Sequence, residues 1–284
     1  MIGWVKDVVS WKCGDVFYLS IPFTWLLPKA KEMAEKQNGK IIAGGPAVDL
    51  VGAVWADTPG SCEFDTLSMH NPLATFTTRG CPNRCKFCAV PKIEGEFREL
   101  DSWKPAPTVC DNNILASSRK HFEKVIDSLL PFEYVDFNQG LDARLFTQWH
   151  CGQLARLNRV KIRFALDSTM QESTTYNAIK LARQYRFNDF GVYVLIGFKD
   201  TPEDARYRLE AVRSWGIWPT PMRYQPLDAL EKDSCVAPGW TDRELHRMMR
   251  YYSKLRWLEH IPFEDYIHDE SDMYVGDLFQ EAAE

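Results

Sequence analysis

The sequence predicts an α/β fold, a parallel sheet of six strands rolled into a partial or open barrel. Three observations carry that expectation. From residue 108 onward, short β-rich runs alternate with amphipathic helical runs. A further β-rich run, Leu73 to Thr78, precedes the series and leads into a loop holding three cysteines. The strand runs end in polar clusters, while their bodies are mostly apolar. Alternating strands and helices build parallel sheets through right-handed crossovers. In barrels of this kind the site lies at the C-terminal strand ends.

The chain has 284 residues, enough for one large domain with a small appendage. Hydrophobic residues are 45% and charged residues 26%, a globular balance. A net charge of −5 argues against a wholly basic nucleic-acid coat. No apolar run approaches the ~18–20 residues that span a bilayer. Lys6 and Asp7 interrupt the apolar N-terminus, which makes a poor signal peptide. The expected location is cytoplasmic, with no membrane partner.

The elements follow in order. Val16 to Ile21 is a strand run, and Pro28 to Asn38 a helical one with Gly39 as its C-cap. Lys40 to Ala43 is a second strand, closed by Gly44-Gly45-Pro46. Residues 12–46 thus read as a β-α-β unit. The G-x-G-x-x-G spacing is absent, so Gly44-Gly45 reads as a tight turn rather than a phosphate loop. Residues 52–72 lack periodicity and read as a linker bounded by Pro72. Ala89 to Pro107 carries four prolines and glycines and reads as irregular.

The rhythm then sets in. Strands are expected at 108–110, 134–137, 161–166, 190–196 and 220–225. Helices are expected at 117–130, 147–157 and 172–185. A fourth is capped by Thr201-Pro202 and stopped by Gly216, and a last runs from Thr241 to about Glu259. The expected domains are 1–71, a small unit with linker; 72–228, the barrel; and 229–284, a helical extension.

Three of the eight cysteines sit in Arg79-Gly80-Cys81-Pro82-Asn83-Arg84-Cys85-Lys86-Phe87-Cys88, at spacing C-x₃-C-x₂-C. In a reducing compartment such clustering points to a metal. Three thiolates can hold three irons of a cubane and leave the fourth open. Zinc competes, but it wants four ligands, and the fourth would have to be a distant residue such as His70. Cys13, Cys62, Cys110, Cys151 and Cys235 are scattered and read as small buried hydrophobes.

With Phe87 before the last cysteine, the motif resembles the signature of the radical S-adenosylmethionine (SAM) enzymes. The flanking residues Thr78 to Pro91 look most like the tRNA methylthiotransferase and Elongator-type branch. The likeness covers roughly residues 72–228. The N-terminal piece ending in Gly44-Gly45-Pro46 resembles a remnant of the cobalamin-binding domain found in related enzymes.

The resemblance implies a partial (β/α)6 barrel and a [4Fe-4S] cluster on Cys81, Cys85 and Cys88. It implies that the open iron chelates the amino and carboxylate groups of SAM. An electron from a donor such as flavodoxin or ferredoxin would then split the sulfonium. The products would be methionine and a 5′-deoxyadenosyl radical that abstracts hydrogen from a small-molecule or nucleic-acid substrate. Asp111, Asn112 and Asn113 would face SAM's amino group, and Arg144 its carboxylate. Asn138 and Gln139 would face ribose or substrate, and Asp167 and Ser168 a ribose hydroxyl. Phe87, Ile196, Gly197, Tyr224 and Gln225 would line adenine.

The sequence also departs from the pattern. The prolines of 91–107 leave little room for the usual helix, so Glu94 to Trp103 reads as a lid or substrate loop. No Asp-x-His-x-x-Gly occurs in the N-terminal unit, so cobalamin is not expected. Only Cys13 and Cys62 precede the motif, so a second cluster is not expected. Residues 241–260 interleave Arg243, Arg247 and Arg250 with Tyr251, Tyr252 and Trp257. That pattern fits nucleic-acid stacking, or a helix packing Leu245, Met248, Met249, Tyr252 and Leu255 on the barrel. A tRNA- or nucleotide-modifying enzyme and a non-catalytic iron–sulfur or zinc module remain the alternatives.

Overall fold

The computed structural model describes residues 4–58, 64–253 and 260–266. Two hydrophobic cores organise them. The smaller core belongs to the N-terminal unit. Strands β1 (Val9–Cys13) and β2 (Val16–Ser20) form an antiparallel hairpin, with Gly14 supplying the positive φ of +58° that the two-residue turn needs. Helix α1 (Leu27–Glu35) then leads to β3 (Lys40–Gly44), parallel to β2. Phe17, Leu19, Ile21, Ala30 and Ala43 fill the core between them.

The expected β-α-β unit is present, with β1 as an unforeseen third strand. Gly45 is where the chain touches itself. Its φ is +99°, and a Cβ there would stand 2.8 Å from the Ile21 carbonyl oxygen. The residue thus serves close backbone approach, and Pro46 opens α2 (Pro46–Val51). The linker also contains α3 (Thr66–His70), capped by Asp65.

The larger core underlies a six-stranded sheet. In chain order come β4 (Ala74–Thr75), β5 (Thr78–Arg79), α4 (Val90–Ile93), β6 (Arg98–Glu99), β7 (Thr108–Val109) and α5 (Arg119–Leu129). Then follow β8 (Val135–Phe137), α6 (Gln148–Leu154), β9 (Val160–Ala165), α7 (Glu172–Gln184), β10 (Phe190–Ile196), α8 (Pro202–Ser214), β11 (Pro219–Arg223) and α9 (Asp242–Ser253). The sheet order is β11-β10-β9-β8-β7-β4, and every pair is parallel.

Alternate strand residues, among them Val135, Phe137, Ile162, Phe164, Val192 and Val194, join one core with Ile126, Leu154, Ile179, Leu209 and Met248 of the helices. The other sheet face is polar and half-buried. There Arg163 clasps Asp136 with Nε–Oδ1 at 2.8 Å and Nη2–Oδ2 at 2.6 Å. The Tyr193 hydroxyl donates to the Asn138 carbonyl at 2.7 Å.

Three expectations need correction. Leu73 to Thr78 is not one strand. Asp111 draws Thr77 and Thr78 out of line, and β5 pairs with β6 in a separate two-stranded sheet. Glu94 to Trp103 is not a free lid, because β6 and the Leu100 N–H to Thr77 carbonyl bond of 3.0 Å tie it down. Of the described scattered cysteines, Cys110 and Cys151 are buried, whereas Cys13 is exposed and Cys235 half-buried. Cys62 lies outside the described residues, as does the stretch 254–259 expected to end the last helix.

In α9 the aromatics face inward. Tyr251 and Tyr252 are wholly buried, and Arg247 is spent on the carbonyls of Phe263, Glu264 and Tyr266. The packing reading of that helix fits these contacts, and neither tyrosine is open to stack on a base.

Candidate metal centre

The cysteine loop leaves β5 at Gly80. That residue has φ +74°, and a Cβ would stand 2.4 Å from the Glu96 carbonyl oxygen. The buried Glu94 side chain fixes the same corner. It accepts from Gly80 N at 2.7 Å and pairs with Arg79 at 3.2 Å. The loop then turns through a Cys88 N–H to Cys85 carbonyl bond of 3.1 Å. Burial pushes the Cys85 and Cys88 thiols above the ordinary range, and the neighbouring cysteines add to the shift. A metal entering here would have to displace those protons, as thiolate ligation does.

The strand ends meet this loop through Asp142, a residue that no local sequence pattern marks. Its Oδ2 accepts from Asn83 at 3.0 Å, Asn113 at 3.2 Å and Arg144 Nη2 at 2.7 Å. Its Oδ1 takes Arg144 Nε at 2.8 Å. Burial would raise the Asp142 pKa, but the bonds from Arg144 and Asn83 outweigh it and hold the carboxyl low. Asp142 thus joins the cysteine loop, the end of β7 and the segment after β8. Asn113 reaches further, with Nδ2 at 3.8 Å from Cys81 Sγ. An amide N–H at that distance can donate to a thiolate.

The other expected residues divide by role. Asp111 is 2% exposed, and its carboxylate takes Thr77 N at 2.6 Å, Thr78 N at 2.8 Å and the Thr77 hydroxyl. It braces the approach to the cysteine loop and does not face outward. Arg144's side-on fork, expected for a ligand carboxylate, is filled by Asp142. Ile196 buries its side chain in the core and offers only its carbonyl, which Tyr224 N takes at 2.9 Å. Gly197 follows with φ +76°. Asp167 accepts from Leu195 N at 3.2 Å, and Ser168 caps a short turn through Met170 N. Asn138 is half-buried and Gln139 exposed at the end of β8.

Among the described residues, Asn112 Nδ2, Asn113 Oδ1 and Gln225 Oε1 are buried polar atoms without partners. Buried polar groups are rarely left unpaired, so such atoms mark where a ligand or water completes the structure.

An aromatic wall ties the loop to the far strands. Phe87 meets Phe198 edge-on at 5.5 Å, and Phe198 meets Tyr224 at 4.7 Å. Phe198 directly follows Ile196 and Gly197, two of the residues expected at adenine, and bridges Phe87 to Tyr224. Beneath the rim, Arg208 is 2% exposed on α8. It donates to the carbonyls of Leu166 (3.3 Å) and Leu195 (2.6 Å) and pairs with Asp200, pinning the ends of β9 and β10 together. The N-terminal unit reaches the same rim. Thr24 donates to the Ala229 carbonyl, and α2 packs on α4.

His70, the candidate fourth zinc ligand, has both ring nitrogens engaged, by Ser20 Oγ at 2.9 Å and the Val5 carbonyl at 2.8 Å. Among the described residues no three His, Cys, Asp or Glu side chains gather tightly enough to hold a single metal ion. No helix there is long and apolar enough to cross a membrane.

No protein-family model matches the chain, and no curated protein is significantly similar to it. The functional reading rests on the residues and their arrangement.

Proposed function

We propose that the chain is a radical SAM enzyme whose [4Fe-4S] cluster is held by Cys81, Cys85 and Cys88. One observation carries the reading: the three-cysteine loop lies on the rim where the parallel strands end, bonded to it through Asp142 and Asn113. The six-stranded sheet then reads as a partial (β/α)6 barrel. Its support is the unbroken chain order of parallel strands, with one face sealed by helices and the other polar and half-buried.

The donor set fits an iron–sulfur cluster better than zinc. Three thiols within eight residues match three irons, and the proposed outside ligand His70 is already engaged. When bound, the cluster and SAM would supply one-electron cleavage of the sulfonium to a 5′-deoxyadenosyl radical.

The protein's share is to hold, orient and exclude water. Asn113 donates to Cys81 sulfur, a bond of the kind that tunes cluster potential. Asp142 fixes the loop against β7 and β8. Phe87, Phe198 and Tyr224 offer a face on which a purine ring can pack. Arg208 holds the strand ends in register beneath it.

The test is anaerobic reconstitution of a Cys85→Ala variant beside the wild type. The variant should lose the cluster's visible absorbance almost entirely. Retention of a full iron complement would remove Cys85 as a ligand and the reading with it.

A further inference from the structure

A second site is suggested at the opposite edge of the sheet, where β10 and β11 begin. A cavity of ≈ 440 Å³ opens between the α7–β10 and α8–β11 loops. Arg183, Arg186, Phe187, Asp189, Phe190 and Trp218 are among its lining residues.

Both helices end with the same backbone motif. Phe187 N bonds the Ala182 carbonyl at 3.3 Å, and Ile217 N bonds the Val212 carbonyl at 3.4 Å. The residue before each has a left-handed φ, +72° at Gly216 and +66° at Arg186. Glycine is the usual occupant of that position, and any larger residue is strained there. Arg186 bears the strain without an internal contact to show for it. Its side chain is exposed and, among the described residues, makes no hydrogen bond or ion pair. Strained residues that persist in this way cluster at ligand clamps.

The chemistry around Arg186 is that of an anion site. Arg183 is anchored by Nη2 on the Trp215 carbonyl at 2.5 Å, and its guanidinium lies 5.7 Å from the Phe190 ring centre. The one acid in the wall, Asp189, is committed to Lys161 at 3.4 Å and to the Tyr134 hydroxyl at 3.0 Å. The indole N–H of Trp218 is buried and has no acceptor among the described residues. Arg183 and Arg186 therefore line the cavity, and among the described residues neither forms an ion pair.

We propose that this cavity binds a phosphate-bearing small molecule. Its phosphate would lie between Arg183 and Arg186 and its apolar part against Phe187 and Trp218. Guanidinium forks match phosphate oxygens in pairs, which a lysine cannot do. The proposal is independent of the cysteine loop.

Thermal unfolding of the full chain tests it. The probes are inorganic phosphate and adenosine 5′-monophosphate, each against sodium chloride and sodium acetate at equal ionic strength. The wild-type midpoint should rise by at least about 2 °C with the monophosphate at saturation. Arg186→Gly should melt above the wild type in chloride, because the strain is gone, yet lose at least half of the phosphate-dependent rise. Arg183→Gln should lose as much. No rise over chloride in the wild type, an undiminished rise in both variants, or an equal rise with acetate would each overturn the proposal.

Discussion

Replacing Gly80 with alanine should unfold the corner from which the cysteine loop departs. Its φ of +74° disfavours any Cβ by about 1–2 kcal/mol. The added atom would also stand 2.4 Å from Glu96 O, 2.7 Å from Glu96 C and 2.9 Å from Phe97 N. All three are backbone atoms, so no rotamer change relieves the contact. Restoring ordinary van der Waals distance moves the β5–β6 pair apart by roughly 1 Å, an overpacking cost of about 1–3 kcal/mol. The total is about 2–5 kcal/mol. Gly95 is the internal control. Its φ is +71°, and a Cβ there meets nothing within 4 Å. Gly95→Ala should therefore cost only the conformational part, about 1–2 kcal/mol. Urea unfolding followed by circular dichroism measures both, and iron content after reconstitution reports the loop itself. Gly80→Ala should be the less stable variant and hold less iron. Equal stability of the two would refute the close-approach argument.

Two further variants probe the rim. Arg208→Met strips the buried Asp200 carboxylate of its cation and should cost about 3–5 kcal/mol in urea unfolding. Adding Asp200→Asn should recover part of that loss, and a loss under about 1 kcal/mol would show that Arg208 does not hold the strand ends. Burial raises the Asp167 pKa in the fold, so the folded chain keeps that proton to higher pH than the unfolded chain. The stability this gives is present below about pH 3.9 and is lost as pH rises through the folded value. Asp167→Asn keeps an acceptor for Leu195 N. Its stability relative to the wild type should grow between pH 4.5 and pH 8, and a flat or reversed trend would show that burial does not control this carboxyl.

The second half of the chain was legible because its signals are local and strong. Phe190 to Ile196 is found at its expected bounds, and Thr201, Pro202 and Gly216 delimit α8 as their chemistry dictates. What escaped was set by distant partners. The bend after Thr75 comes from Asp111, 34 residues from Thr77, and no local pattern announces it. Asp142 sits in an unremarkable stretch, and only the folded chain brings Asn83 and Asn113 to it. β1 is recognisable only through its pairing with β2, which the left-handed Gly14 makes possible. α2 is hidden because Gly45-Pro46 closes one strand and opens a helix at the same point.

Reductive turnover tests directly whether a cluster on Cys81, Cys85 and Cys88 binds and cleaves SAM. The full chain would be reconstituted with iron and sulfide without oxygen, reduced with dithionite and given SAM. Metal content and 5′-deoxyadenosine would then be measured. The prediction is about four irons per chain and formation of 5′-deoxyadenosine with methionine, lost on Cys85→Ala. Zinc in the protein and no 5′-deoxyadenosine would contradict it.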